Sequence, residues 1–273
     1  MDIFEMLDGA SGKKKPIIKA PFGWPGGKSR TVEWIVDLMP RSDIFVDVFG
    51  GSGIVMLNMP ASKNDVFNDI NSGVCSLYRC VRDRQKLDRL IEWIESTIHS
   101  YEDWVTCKET WKDTADDVER AGRWLYMVQY SFAGQGRAYG FSRRHNAFSG
   151  KLLLKASIFG PIHDRFRNVN VENRDWREML EKYDTEETVF YLDPPYPDSD
   201  MAACYGKHVM GWDAQREMLE RIKHLKGTVV LSGYANKLYD SYTWSKRHTK
   251  ESFVSTTKAE HGRVKAEEVL WIK

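Results

Sequence analysis

A short stretch near residue 193 combines an acid, two prolines and an aromatic side chain at the end of an apolar run. Residues 188–193 have the character of a buried strand in a parallel sheet. Prolines cannot continue a central strand and hold the preceding residue extended, so Asp193 is predicted at the strand end. Its carboxylate and the carbonyl of Pro194 are two acceptors for a substrate amino group. Pro195 and Tyr196 complete the motif, with Tyr196 as an aromatic platform; the alternative is a rigid turn that only ends the strand.

A glycine-rich turn follows an earlier apolar run. Residues 44–49 are predicted to form a buried strand, and the segment Asp47-Val48-Phe49-Gly50-Gly51-Ser52-Gly53 leads from it into a helix near residue 54. Open α/β sheets bind ligands at the carboxyl ends of their strands, and glycines permit positive φ and close approach of the backbone to a ligand. Structural turns between strands and helices are also glycine-rich, so the motif fits either a ligand site or a plain turn.

Asp69 lies sixteen residues past Gly53, after a short strand-like run at residues 65–67. An acid at the end of the second strand is placed to accept hydrogen bonds from ribose hydroxyls. The alternative is that Asp69 caps the helix predicted from Ser72, a role that Asp performs well. Together with the glycine turn, Asp69 indicates a ligand that contains a nucleoside, without indicating which one.

Charge is distributed unevenly along the chain. The net charge is only +1, but the segment from residue 120 to residue 163 has seven Lys or Arg and neither Asp nor Glu. This segment therefore carries +7, which leaves −6 for the rest. A basic segment in a mildly acidic protein is typical of a polyanion-binding insertion; a solvated basic face without a ligand is the alternative.

The remaining pattern predicts an α/β protein. A third strand is expected over residues 227–232, and helices are expected over 34–39, 72–82 and 213–225. Strands that alternate with helices indicate a doubly wound α/β sheet. From about residue 87 to residue 163 the chain is rich in Trp, Tyr and charge, which predicts an insertion of mostly helices and one long loop.

Composition excludes several other classes. With 273 residues, 42% of them hydrophobic and 29% charged, the chain is expected to be globular, with one or two domains rather than disorder or a coiled coil. No apolar run is long enough for a membrane span, and the first residues have acids where a signal peptide has bases. Four scattered cysteines without a C-x-x-C pair indicate reduced thiols in a cytosol, and no metal site is expected among them or the histidines.

The glycine turn, Asp69 and the Asp-Pro-Pro-Tyr motif together resemble the S-adenosylmethionine-dependent adenine-N6 DNA methyltransferases, and most closely the Dam-type enzymes of bacteria and phages. The segment at 22–28, Phe-Gly-Trp-Pro-Gly-Gly-Lys, resembles the element that this family places against the cofactor. Residues 173–176 resemble its acid-plus-aromatic element, which holds the cofactor's adenine. Residues 230–234 and 263–270 resemble its late strands.

The resemblance implies a Rossmann-like class I methyltransferase sheet with an inserted, mostly helical target-recognition region. It divides the chain into a first catalytic part at 16–86, the target-recognition insertion at 87–165 and a second catalytic part at 166–273. The methyl donor is expected to be S-adenosyl-L-methionine, with no metal. The substrate is expected to be an adenine flipped out of double-stranded DNA, in the cytoplasm of a bacterium or of a phage-infected host. The residues implied to bind the cofactor are Trp24, Lys28, Asp47, Phe49, Gly50, Gly51, Gly53, Asp69, Asp175 and Trp176.

The resemblance places catalysis at the motif that begins with Asp193. In the family an Asp at this position, rather than Ser, favours adenine over cytosine N4. Alternatives remain open: methylation of cytosine N4 or of RNA adenine, or a catalytically inactive DNA-binding relative. The residues expected to contact DNA, by base readout or by binding phosphates, are Gln135, Arg137, Arg143, Arg144 and Asn146. The loop that holds them differs from the pattern of GATC-reading enzymes, so the recognised sequence stays open.

Overall fold

The computed structural model describes residues 16–24, 26–141, 157–196, 210–254 and 264–273. Seven strands form one sheet in the order β3-β2-β1-β4-β5-β7-β6. The strands are β1 (Ile44–Asp47), β2 (Asn64–Asn68), β3 (Asn170–Glu172), β4 (Thr188–Leu192), β5 (Thr228–Tyr234), β6 (Lys246–Val254) and β7 (Val264–Ile272). The first five are mutually parallel, whereas β7 lies antiparallel between β5 and β6. The predicted Rossmann-like sheet is confirmed.

Ten α-helices surround the sheet in the described part of the chain. They are α1 (Val32–Leu38), α2 (Ile54–Asn58), α3 (Ser72–Arg82), α4 (Arg84–Glu95), α5 (Tyr101–Thr110), α6 (Asp117–Gln129), α7 (Phe159–Phe166), α8 (Trp176–Lys182), α9 (Trp212–His224) and α10 (Lys237–Asp240). The helices from α3 to α6 each begin at a side-chain cap, which satisfies backbone N–H groups that the first turn leaves unpaired. None of the described helices is both long and apolar enough to cross a membrane.

The sheet separates two hydrophobic cores, because successive side chains of a strand point to opposite faces. In β1, Phe45 packs into one core and Val46 into the other. The Val46 core is closed by α8, α9 and α10. The Phe45 core is closed by α1 to α7, so the helices of the predicted insertion pack into the same core as the sheet; Trp124 of α6, for example, lies directly over Gly73 of α3.

Three of the four cysteines lie in the described residues. Cys75, Cys80 and Cys107 are buried free thiols, and burial raises their pKa. Cys204 lies outside the described residues.

Candidate active site

A cleft of about 790 Å³ opens at the carboxyl ends of β1, β2 and β4. This is the edge at which open α/β sheets bind ligands, and the volume is typical of small-molecule sites. Most of the residues predicted from sequence to bind a cofactor meet there. The lining consists of Trp24, Gly26, Gly27, Lys28, Asp47, Phe49, Gly50, Gly51, Ser52, Ile54, Val55, Asp69, Ile70, Asn71, Tyr191, Asp193 and Pro195.

The glycine turn brings bare backbone to the floor of this cleft. Gly51 has φ +52° and Gly53 has φ +72°, a region that favours glycine. A Cβ atom added at Gly51 would lie 2.7 Å from Cδ1 of Trp24, so the indole ring packs directly on the turn. One at Gly50 would lie 2.1 Å from the Phe67 ring. Glycine is therefore required at Gly51 by both conformation and space, and at Gly50 by space.

Asp69 is buried and holds the glycine turn. Its Oδ2 accepts a hydrogen bond from the N–H of Gly51 at 2.8 Å, and its Oδ1 accepts one from the N–H of Asn71 at 2.7 Å. Burial raises the pKa of this carboxyl to about 6, although both backbone N–H groups act in the opposite direction. The cap of α3 is Asn71, whose side chain accepts from Gly73, so the capping alternative does not apply to Asp69.

Asp47 is a buried acid that no side chain within the described residues pairs with. Only 1% of its surface is exposed, and neither carboxylate oxygen has a hydrogen-bond partner within the described residues. Burial, followed by the negative charges of Asp193 and Asp69, raises its pKa well above the ordinary value, and the nearby backbone N–H of Met56 opposes this only in part. Buried polar groups are nearly always paired, so an orphaned carboxylate that lines a cleft indicates a place for a cationic or hydrogen-bonding ligand.

Asp193 follows β4 and is bound by a buried ammonium. Lys28 Nζ donates to Asp193 Oδ1 at 2.7 Å, to the hydroxyl of Tyr196 at 2.9 Å and to the carbonyl of Gly26 at 3.1 Å. It also lies 3.4 Å from Oε1 of Glu268 on β7. Burial acts to lower the pKa of Lys28, but Asp193 and Glu268 outweigh burial and raise it. Lys28 is thus a charged link between two carboxylates.

Two hydroxyl groups complete the environment of Asp193. Ser232 of β5 donates to Oδ1 at 2.9 Å, and Tyr196 donates to the same oxygen at 3.2 Å. Tyr191 lies 3.0 Å from the Ser232 hydroxyl, which extends the network below the strand end. The hydrogen bonds from Lys28, Ser232 and Tyr196 all go to Oδ1. Its side chain is 18% exposed, so the acid is held from within and open toward the cleft.

The other residues of the motif are fixed by packing. Pro194 is buried, and the carbonyl of Pro195 accepts from the Gln215 side chain at 2.9 Å. The Tyr196 ring lies 4.9 Å from the ring of Tyr234 at an angle of 42°. Burial raises the pKa of Tyr196 well above its ordinary value, so its hydroxyl stays protonated and donates to Asp193.

Asp175 and Trp176 lie at a second, adjoining cleft of about 710 Å³ that shares Phe49, Ile70 and Pro195 with the first. Asp175 caps α8 and pairs with Arg177 at 3.1 Å. Trp176 is largely buried in the core, and the Arg177 guanidinium lies 4.4 Å from its ring. Both residues thus have structural partners as well as a position at the edge of the cleft.

Two of the five predicted DNA contacts are described, and both lie in a small hairpin after α6. Ser131 and Tyr139 form an isolated antiparallel bridge that closes it. Gln135 is half-buried, and Arg137 is exposed while its carbonyl accepts from Lys108 at 2.7 Å. Arg143, Arg144 and Asn146 lie outside the described residues.

The hairpin stands close to the amino-terminal part of the cleft. A Cβ atom added at Gly134 would lie 3.0 Å from the carbonyl of Gly23, next to Trp24. The predicted recognition loop and the residues that line the cleft are therefore neighbours.

The sequence motifs did not identify three members of the Asp193 network: Tyr191, Ser232 and Glu268. All three lie in segments with recognisable strand character, but only the sheet order brings them to Asp193. The sequence feature that could have identified Glu268 is its place in the last strand directly before the apolar run Val269 to Ile272, all of which is buried. No group of three or more His, Cys, Asp or Glu suited to a metal ion occurs within the described residues.

Comparison with known proteins adds an independent finding. A family model described as "D12 class N6 adenine-specific DNA methyltransferase" matches residues 24–258. A DNA N-6-adenine-methyltransferase of Escherichia phage P1 is 25% identical over 223 residues, which cover 77% of this chain and 29% of that protein. The type II methyltransferase M1.LlaDCHI of Lactococcus lactis subsp. cremoris is 26% identical over 253 residues, covering 84% of this chain and 88% of that protein. The DNA adenine methylase of Escherichia coli K12 is 26% identical over 179 residues, 63% of each chain.

Proposed function

The chain belongs to the D12 class N6 adenine-specific DNA methyltransferase family, and from that premise we propose that it transfers a methyl group from S-adenosyl-L-methionine to the N6 amino group of an adenine in double-stranded DNA. The observation that carries this proposal is the position of Asp193. It lies at the tip of β4, open to a cleft and held by Lys28, Ser232 and Tyr196.

The cleft fits the methyl donor on two structural grounds. The orphaned carboxylate of Asp47 lines it and suits a ligand that carries a sulfonium and an ammonium charge. The glycine turn offers bare backbone, with Asp69 beside it at the end of β2 to accept from ribose hydroxyls. When bound, S-adenosylmethionine supplies an electrophilic methyl group. The residues that would hold it are Trp24, Lys28, Asp47, Phe49, Gly50, Gly51, Gly53 and Asp69, with Asp175 and Trp176 in the adjoining cleft.

The chemistry assigned to this chain's own residues is activation of an amine. The lone pair of an exocyclic amine on adenine is delocalised into the ring, which makes it a poor nucleophile. The carboxylate of Asp193 and the carbonyl of Pro194 would accept its two N–H bonds and stabilise the positive charge that develops on nitrogen. Because Oδ1 already accepts from three donors, we assign Oδ2 to the substrate. Since a paired base is out of reach, the adenine must be flipped out, and Tyr196 is the platform on which it would stack.

DNA recognition is assigned to residues 87–165, between the two catalytic parts at 16–86 and 166–273. Gln135 and Arg137 in the hairpin, with Arg143, Arg144 and Asn146 farther along, would contact base edges or phosphates. The closeness of Gly134 to Gly23 supports this assignment, because DNA bound along the hairpin would lie next to the cleft.

Methyl transfer with nucleoside analysis tests the proposal. The purified chain is incubated with methyl-labelled S-adenosylmethionine and either duplex DNA or RNA, and the labelled nucleoside is identified by mass spectrometry. The expected product is N6-methyladenine in DNA. Label in cytosine or only in RNA would indicate another exocyclic amine, and no transfer would indicate a DNA-binding relative without activity; either result contradicts the proposal.

A variant of the central acid sharpens the test. Asp193→Ala should abolish transfer while DNA affinity stays within a few fold, because the carboxylate acts on the flipped base rather than on the backbone. Asp43→Ala is the matched control, since Asp43 is half-exposed at the opposite end of β1 and forms an exposed ion pair with Lys63. Turnover retained in Asp193→Ala would contradict the role of this residue.

A further inference from the structure

Glu268 is a buried acid that the motif at 193–196 does not include. It lies on β7, pairs in register with Tyr234 of β5 and is only 3% exposed. Its sequence neighbour Glu267 is exposed, because alternate residues of a strand face opposite sides. A buried acid in the last strand of a sheet is costly unless it has a partner, so its position calls for a role.

The charged partner of Glu268 is the same ammonium that binds Asp193, and the Tyr196 side chain also forms a hydrogen bond with Glu268. Lys28 Nζ lies 3.4 Å from Glu268 Oε1 and 2.7 Å from Asp193 Oδ1. The side chains of Lys28 and Glu268 are each 5% exposed, so water does not screen their interaction effectively. Two carboxylates that approach from β4 and β7 thus share one cation.

The sharing has an electrostatic consequence for Asp193. A cation paired with Asp193 alone would neutralise it and weaken it as a hydrogen-bond acceptor. Burial raises the pKa of Glu268 and the Lys28 ammonium opposes that shift; with Glu268 ionised, the three groups Glu268, Lys28 and Asp193 carry a net charge of −1. The carboxylate of Asp193 then keeps its negative character while Lys28 holds it in place.

We propose that Glu268 is a positioning residue for methyl transfer, acting on Asp193 through Lys28. This inference rests on the proposed function and extends it. Glu268 fixes the Lys28 ammonium between β4 and β7, which sets the orientation of the Asp193 carboxylate and balances the charge beside it. Glu268 itself does not contact the substrate or the methyl donor.

The test is a single-turnover measurement of methyl transfer to duplex DNA by the full chain and its variants, because product release otherwise masks the chemical step in many enzymes. Glu268→Gln keeps the shape of the side chain and removes its charge. Its transfer rate should fall at least tenfold, while the KM for DNA and for S-adenosylmethionine stays within twofold. Glu267→Gln, the same change on the exposed face of β7, should keep the wild-type rate.

Two further variants distinguish positioning from general structural damage. Glu268→Asp keeps the charge with a shorter reach, and its rate should lie between those of the wild type and Glu268→Gln. In a Lys28→Met background, Glu268→Gln should lower the remaining rate by a clearly smaller factor than in the wild type, because most of its effect passes through Lys28 and only its hydrogen bond with Tyr196 remains. If Glu268→Gln does not fold, Glu268→Asp provides the test. A transfer rate two- to tenfold below wild type with unchanged KM would then support the positioning role of Glu268.

The inference is overturned if the transfer rate of Glu268→Gln stays within twofold of wild type. It is also overturned if Glu268→Asp is as slow as Glu268→Gln or as fast as wild type. A third contradicting result is that Glu268→Gln lowers the rate by the same factor in the Lys28→Met background as in the wild type. An inactive wild-type chain would contradict the proposed function instead. In that case the contact is tested by urea unfolding of Lys28→Met, Glu268→Gln and the double variant. Additive losses would overturn the link between Glu268 and Lys28, and non-additive losses would support it.

Discussion

Replacing Lys28 by Met is the sharpest test of the buried network, because Met has a similar length and no charge. The variant leaves the carboxylate of Glu268 buried and that of Asp193 mostly buried without the ammonium that lies 3.4 and 2.7 Å away. Removing one partner of a buried ion pair costs about 3–5 kcal/mol. Whole domains are stable by only about 5–15 kcal/mol, so Lys28→Met should lose a large part of the free energy of unfolding.

Urea denaturation of wild type and variant measures this loss directly. Lys63→Met is the matched control: the Lys63 ammonium also lies 2.7 Å from a carboxylate, that of Asp43, but both side chains are exposed. An exposed pair is worth about 0–1 kcal/mol, so the control should be nearly as stable as wild type. Adding Glu268→Gln to Lys28→Met should restore part of the stability, because it removes one orphaned charge. Similar losses in Lys28→Met and Lys63→Met would refute the reasoning.

Three other measurements test separate parts of the structure. Gly51→Ala should lose at least about 1–2 kcal/mol of stability, because the φ of Gly51 is +52°. It should also weaken S-adenosylmethionine binding at least tenfold in calorimetry, because the added Cβ would push against Trp24. Unchanged binding would contradict this. The pKa of Asp69 rises from 3.8 to about 6 on folding, so its stabilising effect is complete below pH 3.8 and is lost as the pH rises through 6. Between those limits wild type should lose up to about 3 kcal/mol relative to Asp69→Asn in urea denaturation, and a pH-independent difference would contradict the assignment. Replacing Arg143 and Arg144 together by Ala should weaken DNA binding. If both residues contact phosphates, the slope of the logarithm of the binding constant against the logarithm of salt concentration should become shallower by up to about 1.8. An unchanged affinity and slope would show that they do not contact DNA.

The strands that carry the site were predictable because nearly all of their residues are buried. The apolar runs that became β1, β4 and β5 were predicted within two residues of their ends. β3 and β6 were not predicted, because they form the two edges of the sheet and lack a continuous apolar run. Seven of the nine residues of β6, 246–252, are charged or polar, as is common in solvated edge strands.

The residues of the site likewise fall into a group that the sequence predicted and a group that it did not. Asp193, Asp69 and the glycine turn were predicted because each immediately follows a strand, and parallel strands place their carboxyl ends together. Lys28 was predicted to hold the cofactor, and the structure also places its ammonium on Asp193. Its link to Glu268 joins residues 240 positions apart through the order β4-β5-β7, which no local pattern encodes.

A crystal structure of the chain with duplex DNA and a non-reactive analogue of S-adenosylmethionine tests the central claim most directly. The quantity to measure is the distance from the N6 atom of the flipped adenine to its acceptors. The two N–H bonds should be directed at a carboxylate oxygen of Asp193 and at the carbonyl of Pro194, at about 2.7–3.2 Å. An adenine whose N6 atom lies beyond about 3.5 Å from both acceptors, with the analogue seated in the same cleft, would contradict it.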